Sequence, residues 1–159
     1  MDTLDTPDRR ILTELQGDGR LTNAVLAERV HLSASQTHRR TRKLEEAGII
    51  VRYAAILDAE QLGLDVVAFV SVALEQHSDK AATSFREKLA TMQEVLACYA
   101  VTGEADYLLQ VVAPDLKAFS EFLMHRLMRL PGVRSVQSSV VLERIKETST
   151  LPLSHLQVR

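Results

Sequence analysis

Cysteine is almost missing from this chain. Cys98 is the only one in 159 residues, which excludes an internal disulfide and fits a reducing compartment. Long hydrophobic runs are missing too. Val66–Val70 and Tyr107–Ala113 are strand-sized, well short of the roughly 20 apolar residues that span a membrane. The acidic start Met1-Asp2-Thr3-Leu4-Asp5 has no apolar core, so no signal peptide is expected and the expected location is cytoplasmic. Nor is there an excess of one charge. The formal net charge is −2, with nine Lys/Arg against ten Asp/Glu in residues 1–60 and ten against eleven in residues 61–159. Such a chain has no general attraction for nucleic acid. Catalytic constellations are absent as well. His31, His38, His77, His125 and His155 are scattered without metal-site spacing, and no Gly-rich phosphate loop or activated serine motif occurs. Glu104 and Asp106 could serve as acid and base, but nothing nearby supplies a nucleophile or electrophile. Cys98 stands in an apolar stretch without a basic neighbour and is expected in the core. No enzyme activity, metal or cofactor is implied.

What the chain does have is local basicity. His38-Arg39-Arg40-Thr41-Arg42-Lys43 holds four of the nine basic residues of residues 1–60, and a focused patch on a neutral body can still bind phosphate. Its context is helical. Thr6-Pro7-Asp8 reads as a helix start, with Thr6 as the hydroxyl cap, followed by Ile11, Leu12 and Leu15 as an apolar stripe. Gly17-Asp18-Gly19 stops that helix, and Thr22 caps a second one carrying Val25, Leu26, Arg29 and Val30. After the short break His31-Leu32, Ser33 caps a third helix that runs to Ala47, where Gly48 supplies a left-handed stop. Helix, loop, short helix, tight turn and longer helix make a tri-helical helix-turn-helix. At about 100° per residue, Thr37, Thr41 and Leu44 share the inner face of the third helix. Ser35, Gln36, Arg39, Arg42, Lys43 and Glu46 spread over the other. Arg can read guanine, Gln can read adenine, and Ser and Lys can hold phosphates. The candidate DNA contacts are therefore Ser33, Ser35, Gln36, His38, Arg39, Arg40, Arg42 and Lys43. Ile49–Leu57 is β-rich and reads as a linker strand leaving this domain.

The order of elements then changes. Val66–Leu74, Val95–Thr102, Tyr107–Ala113 and Val133–Glu143 read as strands, and Asp79–Ala90 and Leu116–Leu130 as helices. This βαββαβ order is the ferredoxin-like sandwich, an antiparallel sheet with both helices on one face. The expected fold class is thus α+β: a helix-turn-helix domain over residues 1–60, joined by a β linker to a sandwich over residues 61–159. Val67, Phe69 and Ser71 alternate with Val66, Ala68, Val70, Val72 and Leu74. Both sheet faces are then largely apolar, which predicts burial against another subunit. Between two strands lies Thr102-Gly103-Glu104-Ala105-Asp106-Tyr107. Exposed amides at Gly103 and carboxylates at Glu104 and Asp106 could receive a zwitterion, though a hairpin turn with solvated acids fits equally well.

These residues carry a family resemblance. In the first domain the matching features are Leu4-Asp5, Asp18-Gly19-Arg20, Leu26-Ala27, Leu32-Ser33, Arg40, Leu44-Glu45 and Gly48-Ile49-Ile50. In the second they are Gly103-Glu104-Ala105-Asp106-Tyr107-Leu108-Leu109 and Leu130-Pro131-Gly132-Val133. Together they make the chain similar to the Lrp/AsnC family of transcription regulators over about residues 4–153. The resemblance implies a winged or tri-helical DNA reader and an amino-acid-sensing sandwich. It also implies homodimers paired through their sheets and commonly assembled into octamers. It makes Thr102, Gly103, Glu104, Asp106 and Tyr107 the leading effector-site residues, with Gln137, Ser138 and Ser139 second. One departure stands out: relatives often carry apolar residues at the positions of Thr37 and Thr41. The implied partners are double-stranded DNA, a small amino acid and further copies of the chain. The competing reading is an oligomeric sensor whose helix-turn-helix docks a protein.

Overall fold

The computed structural model describes residues 4–75 and 79–156; His77 and the first three residues of the acidic start lie outside them. The backbone folds into two compact units, Met1–Ile56 with Lys146–Arg159, and Leu57–Ile145. This differs from a contiguous division near residue 60, because the C-terminal segment joins the first unit. The Gln16 amide explains how. It donates to the Leu151 carbonyl (3.3 Å) and accepts from the Leu151 N–H (2.6 Å), while Leu153 packs against the helical core.

The first unit holds α1 (Thr6–Gly17), α2 (Asn23–Val30) and α3 (Ala34–Glu46). Asp5, rather than Thr6, caps α1: its carboxylate accepts from the Asp8 N–H at 2.9 Å, and the Asp8 side chain returns to the Asp5 N–H. A carboxylate offsets the positive helix end better than a hydroxyl, so Thr6 is drawn into the first turn. Thr22 and Ser33 cap α2 and α3 as expected. The tight turn between them is made by His31 at φ 57°, a left-handed geometry that costs a non-glycine residue roughly 1–2 kcal/mol. Ile11, Leu12, Leu26, Val30 and Leu44 form the core. On α2, Val25 is exposed and Ala27 is buried beside Leu26 and Val30. Gly48 at φ 69° ends α3, and Ile49 and Ile50 donate back to the Leu44 carbonyl. Beyond it the expected linker strand does not form, and residues 51–58 have no ladder. A strand needs a partner for its N–H and C=O groups, and this segment has none among the described residues.

The second unit runs β1 (Val66–Leu74), α4 (Asp79–Leu89), β2 (Val95–Ala100), β3 (Tyr107–Ala113), α5 (Leu116–Glu121) and β4 (Val133–Val140). The sheet order is β2-β3-β1-β4 with every pair antiparallel, as the ferredoxin-like reading requires. Val66, Ala68, Val70, Val72 and Leu74 of β1 join Tyr107, Leu109 and Val111 of β3 under Phe85, Leu89, Phe119, Phe122 and Leu127. The predicted helix Leu116–Leu130 is not uniformly α. It passes into π geometry over Phe122–Leu127, with the Met128 N–H reaching the Leu123 carbonyl at 2.9 Å. The wider turn lets Phe122 and Leu127, five residues apart, both face the core. Val67, Phe69 and Ser71 face away from the helices. Phe69 is 43% exposed there, and Tyr99 on β2 is 56% exposed. Among the described residues no helix is long and apolar enough to cross a membrane.

Candidate nucleic-acid interface and effector loop

Helix α3 owes its start to a reciprocal cap. The Gln36 N–H donates to Ser33 Oγ at 3.2 Å, and Gln36 Oε1 accepts from both the Ser33 N–H and Ser33 Oγ. Gln36 therefore has its amide oxygen committed to the helix end, a use the expected adenine contact did not foresee. The inner face is polar, as expected. Thr37 is fully buried and its hydroxyl donates to the Ser33 carbonyl at 3.0 Å. Thr41 Oγ1 is buried with no partner among the described residues, so only one of the two threonines bonds back up its helix.

On the outer face, Ser35, His38, Arg39, Arg42 and Lys43 are all exposed. Arg42 pairs with Glu46 at 2.8 Å across one helical turn, an exposed contact that a phosphate could displace at little cost. Arg40 departs from this set. Its guanidinium turns toward α1 and bonds Asp8 at 2.7 Å and the two Asp5 carboxylate oxygens at 2.8 and 2.9 Å. The reason is helical phase: one residue past Arg39, Arg40 sits at the flank where α3 crosses the capped end of α1. Burial alone would raise the Asp5 carboxyl. The Asp8 N–H and the Arg40 guanidinium outweigh it and hold the group below its ordinary 3.8. Arg40 is raised in turn, chiefly by its bond to Asp8. The sequence signal was Asp5-x-x-Asp8, a capping-box spacing built from two acids; its third member, 32 residues away, carried none.

Gly19 has a comparable role. A Cβ there would meet the Tyr53 ring at 3.3 Å, so glycine leaves room for Tyr53 to lie on the unit. The Tyr53 hydroxyl donates to Glu45 at 2.9 Å, and burial followed by that carboxylate pushes the phenol up to about 12.

In the second unit, Thr102, Gly103 and Glu104 form an exposed loop tip, with Gly103 at φ 116°. Asp106 is more constrained. One of its carboxylate oxygens accepts from the Leu74 N–H at 2.7 Å. That N–H is available because the β1–β3 ladder ends at Val72 and Tyr107, just before it. Tyr107 differs from the expectation: it is buried and stacks on Phe85 with ring centroids 4.9 Å apart. It is the first inward residue of β3, so alternation carries it under the helices and away from the loop surface. Gln137 and Ser139 lie on the open sheet face opposite Ser71 and Phe69, whereas Ser138 is registered with the inward Val70. All three stand on β4, which β1 separates from β3. Cys98, expected in the core, is exposed because β2 is a sheet edge. Among the described residues no group of three or more His, Cys, Asp and Glu could hold a metal ion.

Residues 67–151 match the Lrp/AsnC ligand binding domain, and residues 4–51 match a winged helix-turn-helix DNA-binding domain. The leucine-responsive regulatory protein of Rhizobium meliloti (strain 1021) is 44% identical over 91% of this chain and 92% of its own length. That of Escherichia coli (strain K12) is 37% identical over 93% and 90%. Among solved structures, a transcriptional regulator from Neisseria meningitidis in complex with L-Met superposes with a TM-score of 0.94 at 46% identity, covering 98% of this chain and 100% of that one. E. coli AsnC gives 0.86 at 29% identity, covering 94% and 99%. With both halves matched in order, and the reading helix and ligand-domain loop in the places described above, the chain belongs to the Lrp/AsnC family of DNA-binding transcriptional regulators.

Proposed function

We propose that this regulator is a cytoplasmic, amino-acid-responsive homo-oligomer that reads DNA with the outer face of α3. Ser35, His38, Arg39, Arg42 and Lys43 make the groove and phosphate contacts, while Ser33 and Gln36 hold the helix end near the backbone. The observation that carries this reading is the exposure of those five side chains on one face while Arg40 is held inward. The effector is an amino acid at the loop, with the Gly103 amides for its carboxylate and Glu104 and Asp106 for its ammonium. The L-Met held by the Neisseria relative supports that chemistry. Dimers form through the open sheet face around Phe69 and Tyr99 and assemble further, toward an octamer. Gln137 and Ser139 then reach the loop of another copy.

Salt separates DNA binding from protein docking. Affinity for operator DNA should fall steeply with salt. Arg39→Ala with Arg42→Ala should reduce the log–log slope by about 0.9 for each phosphate no longer neutralised. An unaltered slope and mobility shift in that double variant would sink the assignment of the reading face. Calorimetry across the common amino acids, methionine first, tests the effector. Asp106→Asn is the informative variant, because its amide oxygen still accepts from the Leu74 N–H while the charge is gone. Loss of binding at unchanged Tm is expected. No heat with any amino acid at millimolar concentration would overturn amino-acid sensing.

A further inference from the structure

Between α4 and the β2 edge, reaching Ala100 and Tyr107 at the base of the Thr102–Asp106 loop, the ligand-domain unit holds a cavity of about 350 Å³. That is the small end of the roughly 300–1,000 Å³ range of ligand sites. Leu89, Met92, Val95 and Tyr107 supply most of its apolar wall. Arg86, from the last turn of α4, Cys98, on β2, and the Tyr107 hydroxyl supply its polar side-chain groups, and among the described residues no Asp or Glu lines it. Arg86 is exposed and has no carboxylate partner among the described residues. Its charge reaches the Cys98 thiol, which partial burial pushes up and Arg86 draws the other way.

A wall of this composition discriminates between closely related ligands. An amino acid seated here would bring its carboxylate to Arg86, but its ammonium would find no acceptor carboxylate and would lie beside another cation. Two cations side by side repel, and no carboxylate of the lining offsets them. The corresponding α-keto acid has the same apolar body and carboxylate without the ammonium. Its anion meets a guanidinium whose planar fork suits a carboxylate. We propose that the α4–β2 cavity is a second ligand site, taking small apolar monocarboxylates of the α-keto acid type through Arg86. A chain with both sites responds to the two members of an amino acid/keto acid pair separately, the pair that a transamination or oxidative deamination interconverts.

The test uses the full chain, with α-ketoisocaproate and leucine as probes and Cys98, its sole cysteine, as reporter. Calorimetry should show the keto acid binding. Alkylation of Cys98 by iodoacetamide, followed by mass spectrometry, should slow about tenfold at ten times Kd, while leucine leaves the rate unchanged. Arg86→Gln should weaken keto-acid binding roughly ten- to hundredfold, as loss of a charge-assisted bond does. Ala90→Leu, which fills the cavity from the end of α4, should abolish protection at unchanged Tm. Asp106→Asn should leave keto-acid binding intact, so the failure of one site is distinguishable from the failure of the other. Absence of keto-acid binding, full affinity in Arg86→Gln, or equal protection by leucine would each overturn the proposal.

Discussion

Replacing Arg40 by Met keeps the apolar stem against the helices and removes the guanidinium. Three bonds of 2.7–2.9 Å to Asp5 and Asp8 disappear, and two carboxylates are left facing each other at the start of α1. The side chains are 25% exposed for Arg40, 13% for Asp8 and 38% for Asp5. The effect therefore lies between the roughly 0.2–1 kcal/mol of an exposed pair and the roughly 3–5 kcal/mol of breaking a buried one, at about 2 kcal/mol. In a unit of this size that lowers Tm by roughly 8–16 °C. A thermal melt of the full chain followed by circular dichroism reads it as a shift of the helical unit's transition. A double-mutant cycle with Asp8→Asn should return about 1–2 kcal/mol of coupling. The pH dependence has a defined sign. Asp5 lies below its ordinary 3.8 when folded, so its contribution is complete above that value and is lost as pH falls through the lower folded one. Arg40→Met should flatten this acid limb. DNA binding should weaken through misplacement of α3, with the salt slope unchanged. A slope reduced by about 0.9 per protomer, at wild-type Tm and with negligible coupling to Asp8, would refute the reasoning and return Arg40 to the DNA-contacting set.

Three further outcomes follow from neighbouring features. Thr41→Val removes a buried hydroxyl that has no partner among the described residues. Chemical denaturation should show about 1 kcal/mol of stabilisation, and loss of stability would mean that the hydroxyl is satisfied. Tyr53 keeps its proton to about 12 when folded, so the stability its neutral form contributes is present below pH 10 and declines between pH 10 and 12. Ultraviolet titration should show one of the three tyrosines ionising late, and Tyr53→Phe should abolish that step. Gly19→Ala should displace the Tyr53 ring by a few tenths of an ångström and weaken its bond to Glu45, since the methyl would press on the ring at 3.3 Å; an unchanged Tyr53 titration would contradict this packing.

The expected elements were legible wherever one residue's preference is enough to decide. Thr22, Ser33 and Gly48 marked helix ends by their own chemistry, and the near-continuous apolar run Val66–Leu74 marked a strand without saying which face turns inward. The loop at Thr102–Asp106 was visible because Gly103 and two acids stand together. The places of Cys98 and Tyr107 were not legible, because the sequence says how apolar a strand is. It says nothing of whether that strand lies at an edge or which end of the sheet a loop meets.

The sequence by itself determined a helix-turn-helix, a βαββαβ sandwich, a basic reading helix and an acidic loop, since periodicity and capping act over a few residues. Tertiary structure alone decided the rest. It drew Arg40 out of the basic patch to two aspartates more than 30 residues earlier. It tied Gln16 to Leu151 across 135 residues, and it set Arg86 and Cys98 at the rim of one cavity. A charge or an amide takes the partner that the folded chain brings within about 3 Å, and sequence spacing does not encode that distance.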